Sequence, residues 1–307
     1  MNSAQNEFDI IEKLTKRLTS GDESILRGIG DDCACAAIGG ELLLIANDDM
    51  RENVHFKRDF SPRDVGYKLI AANVSDILAC GGVPKWINLS IGFPSDLDFG
   101  YLAALYDGIN EALLEFKTAV TGGNTTRCDL LQLGATILGT TTRFVSRGGA
   151  SIGDYLFLSA PLGKSRLGLE ALLRGEFDNP FAKAHLRPKL AIALAPLVAK
   201  YAASAIDVSD GFLGDVGHLI RASGVGFEID NSQGLIAPEV FDFFGDFDAA
   251  LEFAINSGEE YRLLFTTPIK ERERFLNAGA ILLGRAVKQK TLTIEGKQYS
   301  PIGFSHF

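Results

Sequence analysis

The stretch Asp207-Val-Ser-Asp-Gly-Phe-Leu-Gly-Asp215 places the tightest constraint on the chain. It follows an apolar run over 202–206 that predicts the end of a strand. It precedes Phe212, Leu213, Val216, Leu219 and Ile220, which recur at helical spacing. Asp207, Ser209 and Asp210 therefore fall on a strand-to-helix turn, where Gly211 permits backbone angles closed to other residues. The helix start offers unpaired N–H groups and a positive dipole end, which favour anions such as phosphate. Carboxylates crowded at such a turn repel one another unless a cation lies between them. A hard divalent ion with oxygen ligands, Mg2+ accompanying a nucleotide, answers that need. Helix capping accounts for the same residues differently, with Ser209 or Asp210 as N-cap and Asp207 and Asp215 solvated.

The chain has 307 residues, 46% of them hydrophobic, enough to bury one large or two medium domains. Its net charge of -9 argues against nucleic-acid partners, which need a basic face, but not against phosphates bound through metal ions. There is no basic segment leading into an apolar leader and no apolar run of membrane-spanning length. Cys33, Cys35, Cys80 and Cys128 form no CxxC pair, so reduced thiols in a cytoplasmic protein are expected.

Further acidic turns accompany the first. Phe8, Ile11, Leu14 and Leu18 predict an amphipathic helix. Arg27-Gly-Ile-Gly-Asp-Asp-Cys33 follows and fails as a dinucleotide fingerprint, since Cys33 stands at the third glycine position. A strand predicted over 41–46 ends in Asn47-Asp48-Asp49, with His55 in an extended segment beyond. Ser61-Pro62 opens a long helix, with Ser as cap and Pro in the first turn, that stops at Gly81-Gly82. Asn73 and Asp76 share a face of that helix, and a buried polar pair there needs a partner such as a metal or ligand. Strands are predicted over 86–92 and 130–142, and a helix over 97–116. Thr121-Gly-Gly-Asn-Thr-Thr-Arg127 is expected to be a glycine turn of the kind that surrounds phosphates. Arg147 reads equally as a surface charge or a phosphate clamp.

A domain boundary is placed near 149–153, dividing the chain into 1–149 and 150–307. The second half begins with a strand over 155–160 and a Gly163-Lys-Ser165 fragment that lacks the first glycine of a P-loop. Helices are expected up to Arg174, again from near Pro188, and ending near Asn256. Strands are expected over 225–229 and 261–266. Glu259 and Glu260 sit at another glycine turn. If these acidic clusters converge, they make a multi-metal polyphosphate site.

Several motifs in order resemble the thiamine-monophosphate kinase family, within the aminoimidazole-ribonucleotide-synthetase-like superfamily. They are Gly28-Ile-Gly-Asp-Asp-Cys33, Asn53-Val-His-Phe56, Asn73-Val-Ser-Asp76, Gly122-Gly-Asn-Thr-Thr126, Ala205-Ile-Asp-Val-Ser-Asp-Gly211, Asp215-Val-Gly-His218 and Ser257-Gly-Glu-Glu-Tyr261. The aromatic end, Gly303-Phe-Ser-His-Phe307, is similar too. The resemblance implies a two-domain α+β fold like that of aminoimidazole ribonucleotide synthetase, with an N-terminal domain that pairs with its twin in a homodimer. ATP and thiamine monophosphate would occupy the cleft between domains. It implies that Asp32, Asp48, Asp76, Asp207 and Asp210 hold Mg2+. Gly123, Asn124, Arg147 and Ser209 would meet ATP, and His55 and Glu259 the thiamine phosphate. Asp210 and Arg147 carry the catalytic assignment.

The expected chemistry suits such a set. A phosphate monoester oxygen is already anionic near neutral pH and needs little help from a base. The barrier lies in bringing anions together, which metal ions and an arginine lower by positioning and electrostatics. Direct in-line transfer is the simplest mechanism. The chain departs from the family pattern at Asn124, Asn47, Ala46, Arg262 and Ser305, and Asp49 is an added carboxylate. These departures keep two alternatives in view: another ATP-dependent enzyme of the superfamily, or a nucleotide-binding protein with weakened catalysis.

Overall fold

The structure, a computed structural model, describes residues 7–19 and 21–303. The aromatic tail from Phe304, with Ser305, lies outside the described residues. Among the described residues the chain builds two sheets. Helix α1 (Glu7–Thr15) comes first. The first sheet contains β1 (Ile25–Arg27), β2 (Ala34–Ile38), β3 (Glu41–Arg51), β4 (Val83–Phe93), β5 (Ala119–Arg127) and β6 (Gln132–Thr141), in the order β1-β2-β3-β6-β4-β5. Between its strands run α2 (Pro62–Ala79) and α3 (Phe99–Phe116). All of its pairings are antiparallel except β4–β5, where α3 makes the crossover a parallel pair requires.

The second sheet takes β7 (Tyr155–Leu158), β8 (Ser204–Asp207), β9 (Gly226–Ile229), β10 (Leu263–Thr267), β11 (Ile281–Val287), β12 (Leu292–Ile294) and β13 (Lys297–Tyr299). Their order is β13-β12-β9-β11-β7-β10-β8. Its helices are α4 (Lys164–Leu173), α5 (Ala182–Leu186), α6 (Ala195–Tyr201), α7 (Phe212–Ser223), α8 (Pro238–Phe244), α9 (Phe247–Ile255) and α10 (Arg272–Asn277).

Helix α2 is the element that positions the site. Ser61 caps it by accepting from Asp64 N, and Pro62 opens its first turn. Every residue from 65 to 79 except Asp76 is buried. A helix apolar all round must be enclosed by protein. One flank of α2 meets β3, β4 and β6, and others meet β8, α5 and α6. Leu44, Ala46 and Met50 of β3, Ile87 and Leu89 of β4, and Ala135 and Ile137 of β6 join its side chains in one core. That core runs on through Leu172, Leu186, Val198 and Phe265 of the second half. Truncating Leu69, Ile70 or Ile77, all wholly buried on α2, to Ala costs about 2–5 kcal/mol each. The contact with α3 is close enough to demand glycine. A Cβ on Gly108 would lie 1.7 Å from Arg63 O, and one on Gly66 2.1 Å from Leu105 O.

Four local expectations are corrected. Strand β3 continues through Arg51, so Asn47, Asp48 and Asp49 lie within it, paired to β6, and not beyond its end. Residues 121–127 form the edge strand β5, not a turn. No helix starts at Pro188; α5 and α6 lie to either side. Helix α1 ends before Leu18 and leaves Ile11 and Leu14 exposed.

Candidate active site

Strand β8 ends in Asp207, and Gly211, at φ 97 and ψ 150, occupies the N-cap of α7. Neither Ser209 nor Asp210 takes the N-cap position that the capping alternative required. The turn is bonded to a second acidic turn. Glu259 N donates to Ser209 O at 2.7 Å, and Tyr261 N donates to Val208 O at 2.8 Å. Glu259 and Tyr261 hold left-handed backbone angles, φ 54 and φ 51, each costing about 1–2 kcal/mol.

Helix α2 meets this turn from the first half. Ser75 donates to Asp207 Oδ2 at 2.6 Å, and oxygens of Asp32, Asp76 and Asp207 lie within 4.8 Å of one another. Asn73 is not a ligand. Its amide nitrogen donates to Leu69 O at 2.9 Å, and its oxygen accepts from Asp48 N at 3.2 Å. It fixes the segment of β3 that carries Asp48. Arg147 joins the cluster through Asp32 Oδ1, with Nη2 at 2.5 Å and Nε at 3.2 Å, while its backbone N donates to Asp31 Oδ1 at 2.6 Å. Asp32 Oδ2 is buried and has no hydrogen-bond partner among the described residues.

Burial and mutual repulsion raise these acids above the ordinary carboxylate range. Burial is the larger cause throughout. Asp207 is pushed up to about 8, with Asp32 adding to the effect. Asp48 is pushed up to about 6, with Asp49 and Asp210 adding. Asp76 rises well above its usual value, and Asp32 rises despite Arg147. Protons or cations must compensate these charges. An orphaned buried oxygen within an all-oxygen cluster fits a hard divalent cation such as Mg2+.

One cavity of about 910 Å3 connects this cluster with Asp48, Asp210, Ser209, His55 and Glu259. Arg51 N donates to His55 Nδ1 at 3.0 Å, so the neutral ring carries its hydrogen on Nε2. Of the eleven residues assigned from sequence, nine line the cavity, and Gly123 and Asn124 do not. Those two stand on β5, exposed along its whole length. Asn124 shares a row with Ser90, Gly134 and Asp49, about 14 Å from Asp49 across three strand spacings. Asn47, whose amide donates to Ala135 O at 2.8 Å, and Asp49 both line the cavity, so it opens toward the side of the sheet they face.

The Gly-Lys-Ser fragment starts α4, but Glu260 Oε1 accepts from Gly163 N at 2.6 Å and from Ser165 N at 3.1 Å. A carboxylate of the chain itself takes the place a phosphate would need. Two further residues lie outside the assignments made from sequence. Ser75 lies beside Asp76 and braces Asp207. Lys68, fully buried on α2, reaches Glu259 Oε1 at 2.8 Å. The signal available for Lys68 was its place in a helix with apolar residues on every side.

Comparison with known proteins agrees with this geometry. Residues 30–141 match the family described as AIR synthase related protein, N-terminal domain. The thiamine-monophosphate kinase of Aquifex aeolicus is 36% identical, with 98% of each chain covered. That of Escherichia coli K12 is 33% identical, with 99% of each covered. The solved structure described as AaThiL complexed with AMPPCP and TMP superposes with a TM-score of 0.90 at 34% identity over 100% of both chains. With carboxylates converging from both halves of the chain and relatives matching it nearly end to end, the chain belongs to the thiamine-monophosphate kinase family.

Proposed function

We propose that the protein transfers the γ-phosphoryl group of ATP to the phosphate of thiamine monophosphate, giving thiamine diphosphate by direct in-line displacement. The observation that carries this reading is one cavity holding a buried carboxylate cluster with Arg147 as well as Glu259 and His55. Asp32, Asp48, Asp76, Asp207 and Asp210 would hold Mg2+, which supplies positive charge between two anionic reactants. Arg147 uses two N–H groups on Asp32, and a guanidinium has others to give a phosphate. Ser209, at the start of α7, stands where phosphate oxygens are favoured. Glu259 offers a carboxylate to the cationic thiazolium of the substrate, with His55 beside it.

Residues 1–149 are assigned to metal and ATP binding and to dimerisation, and residues 150–307 to the second domain. A homodimer is favoured by the sheet face opposite α2. Leu43, Ile45, Leu138 and Trp86 fall on that face, with Trp86 46% exposed. The assignment of Asn124 to ATP requires this outer face to be part of the site, whereas Gly123 falls in the row of Leu89 and Ala135 on the opposite face. No helix among the described residues is long and apolar enough to cross a membrane.

A single-turnover reaction with labelled ATP, Mg2+ and thiamine monophosphate tests the proposal. Labelled thiamine diphosphate is expected. Release of labelled phosphate alone, or no consumption of ATP, would remove it.

A further inference from the structure

Lys68 lies in the middle of α2, with its side chain entirely shielded from solvent. An ammonium has three hydrogens to donate and nothing to accept. Its Nζ donates to Glu259 Oε1 at 2.8 Å and to His185 Nε2 at 2.9 Å. Accepting that bond sets the tautomer of His185, so the ring hydrogen sits on Nδ1. It is directed to Ser165 Oγ at 3.1 Å. Burial, then the charge of Lys68, pushes the His185 pKa down to about 3, so the ring is neutral and acts as an acceptor. Glu259 keeps its carboxyl below the ordinary range despite burial, chiefly because Lys68 stands against it. The side chain of Glu259 remains 26% exposed and lines the cavity.

The four residues come from separate elements: Lys68 from α2, Ser165 from α4, His185 from α5, and Glu259 from the turn bonded to Ser209. The β8 turn and α2 are already joined through Ser75 and Asp207, so Lys68 is a second bond across the same junction. Nothing in the phosphoryl-transfer chemistry uses Lys68 or His185. Neither lines the cavity. A buried cation without a substrate contact has one evident task here, to hold the carboxylate that has one.

We propose that Lys68, oriented by His185, is the positioning residue that fixes Glu259 as an anion aimed into the cavity, so that recognition of the cationic substrate depends on α5 and the Glu259 turn being docked on α2. This inference rests on the reading of Glu259 as the group that meets thiamine monophosphate.

The test is a double-mutant cycle on the full-length protein, reading KM for thiamine monophosphate, KM for ATP and kcat separately. Glu259→Gln and Lys68→Met should each raise KM for thiamine monophosphate by about 10-fold or more, with KM for ATP changed less than about twofold. Lys68→Met in the Glu259→Gln background should add nothing. His185→Gln leaves the Lys68–Glu259 pair in place and should raise the same KM by about 2–5-fold, which keeps the inference testable if Lys68→Met does not fold. Additive effects in the cycle, or equal rises in both KM values, would overturn the positioning role and leave Glu259 as the substrate group. If Glu259→Gln leaves KM for thiamine monophosphate unchanged, the assignment of Glu259 falls and the role of Lys68 falls with it. If the wild-type protein forms no thiamine diphosphate, the failure lies in the proposed function itself.

Discussion

Ser75 of α2 donates a 2.6 Å hydrogen bond to Asp207 Oδ2, 132 residues further along the chain. Both groups are buried. The neighbouring residue, Asp76, lines the cavity. One turn of one helix therefore supplies a carboxylate from the first half and braces another from the second. Burial and the charge of Asp32 raise the Asp207 pKa, while the Ser75 hydroxyl and Arg147 oppose the rise. The hydroxyl is thus part of what makes Asp207 available as an anion.

Ser75→Ala removes that donor and leaves a buried carboxylate oxygen without it, at a cost of about 1–3 kcal/mol in stability. The Asp207 pKa should rise further above about 8. At neutral pH the proton then competes harder with the metal, and the Mg2+ midpoint of the kinase rate should rise about 3–10-fold. The gap to wild type should narrow under alkaline conditions. A lowered melting temperature with an unchanged Mg2+ midpoint would make Ser75 a packing residue only.

Asp210→Asn should lower kcat by about 100-fold or more while moving the thermal midpoint by no more than about 4 °C. Asp210 lines the cavity one residue before Gly211, which takes the N-cap, so the carboxylate is not needed to start α7. An early-melting variant with a full rate per folded molecule would reverse that conclusion.

The acidic motifs were legible because each sits at a glycine turn or beside an apolar run, where polar residues are conspicuous. Their convergence was not. The Ser75–Asp207 bond and the contact of Arg147 with Asp32 are long-range, and no spacing encodes them. Local propensity also misjudged β3. The apolar run ends at Ala46, yet pairing with β6 carries the strand on through Asp48↔Ala135 and Asp49↔Gly134. In the same way Gly122-Gly123-Asn124 has the composition of a turn and is held extended by β4. Lys68 is the reverse case. A lysine four residues after Asp64 looks like a solvent face, until the apolar residues around α2 show that the helix has none.

Trp86→Glu should dissociate the proposed homodimer. Trp86 pairs with Leu138, which pairs with Ile45, forming an apolar row on the outer face of the first sheet. Removing a central tryptophan from an interface typically costs about 2 kcal/mol or more, about 30-fold in Kd, and a carboxylate in its place adds desolvation. Light scattering at micromolar concentration should give twice the 33.1 kDa chain mass for wild type and the single mass for the variant. A wild-type monomer would contradict the dimer, and an unshifted variant would move the interface elsewhere.

The last prediction concerns pH and metal together. In the folded protein Asp207 titrates at about 8 and Asp48 at about 6, against an ordinary value of 3.8. Between 3.8 and those values the folded state holds protons that the unfolded chain has released, so without metal the stability falls as pH rises. The loss from Asp48 is complete above about 6 and that from Asp207 above about 8. Within its window each group contributes a slope of about 1.4 kcal/mol per pH unit. Bound Mg2+ replaces the protons and favours the ionised carboxylates, so its stabilising effect should be small near pH 5.5 and grow toward about pH 8, then level off. Thermal melts with EDTA or with Mg2+ across that range check this. Asp207→Asn should lessen the slope of the EDTA curve above about pH 6, because one of the buried carboxyls raised into that range is gone. A Mg2+ shift that is equal at all pH values, or larger in acid, would mean that these carboxylates do not hold the metal.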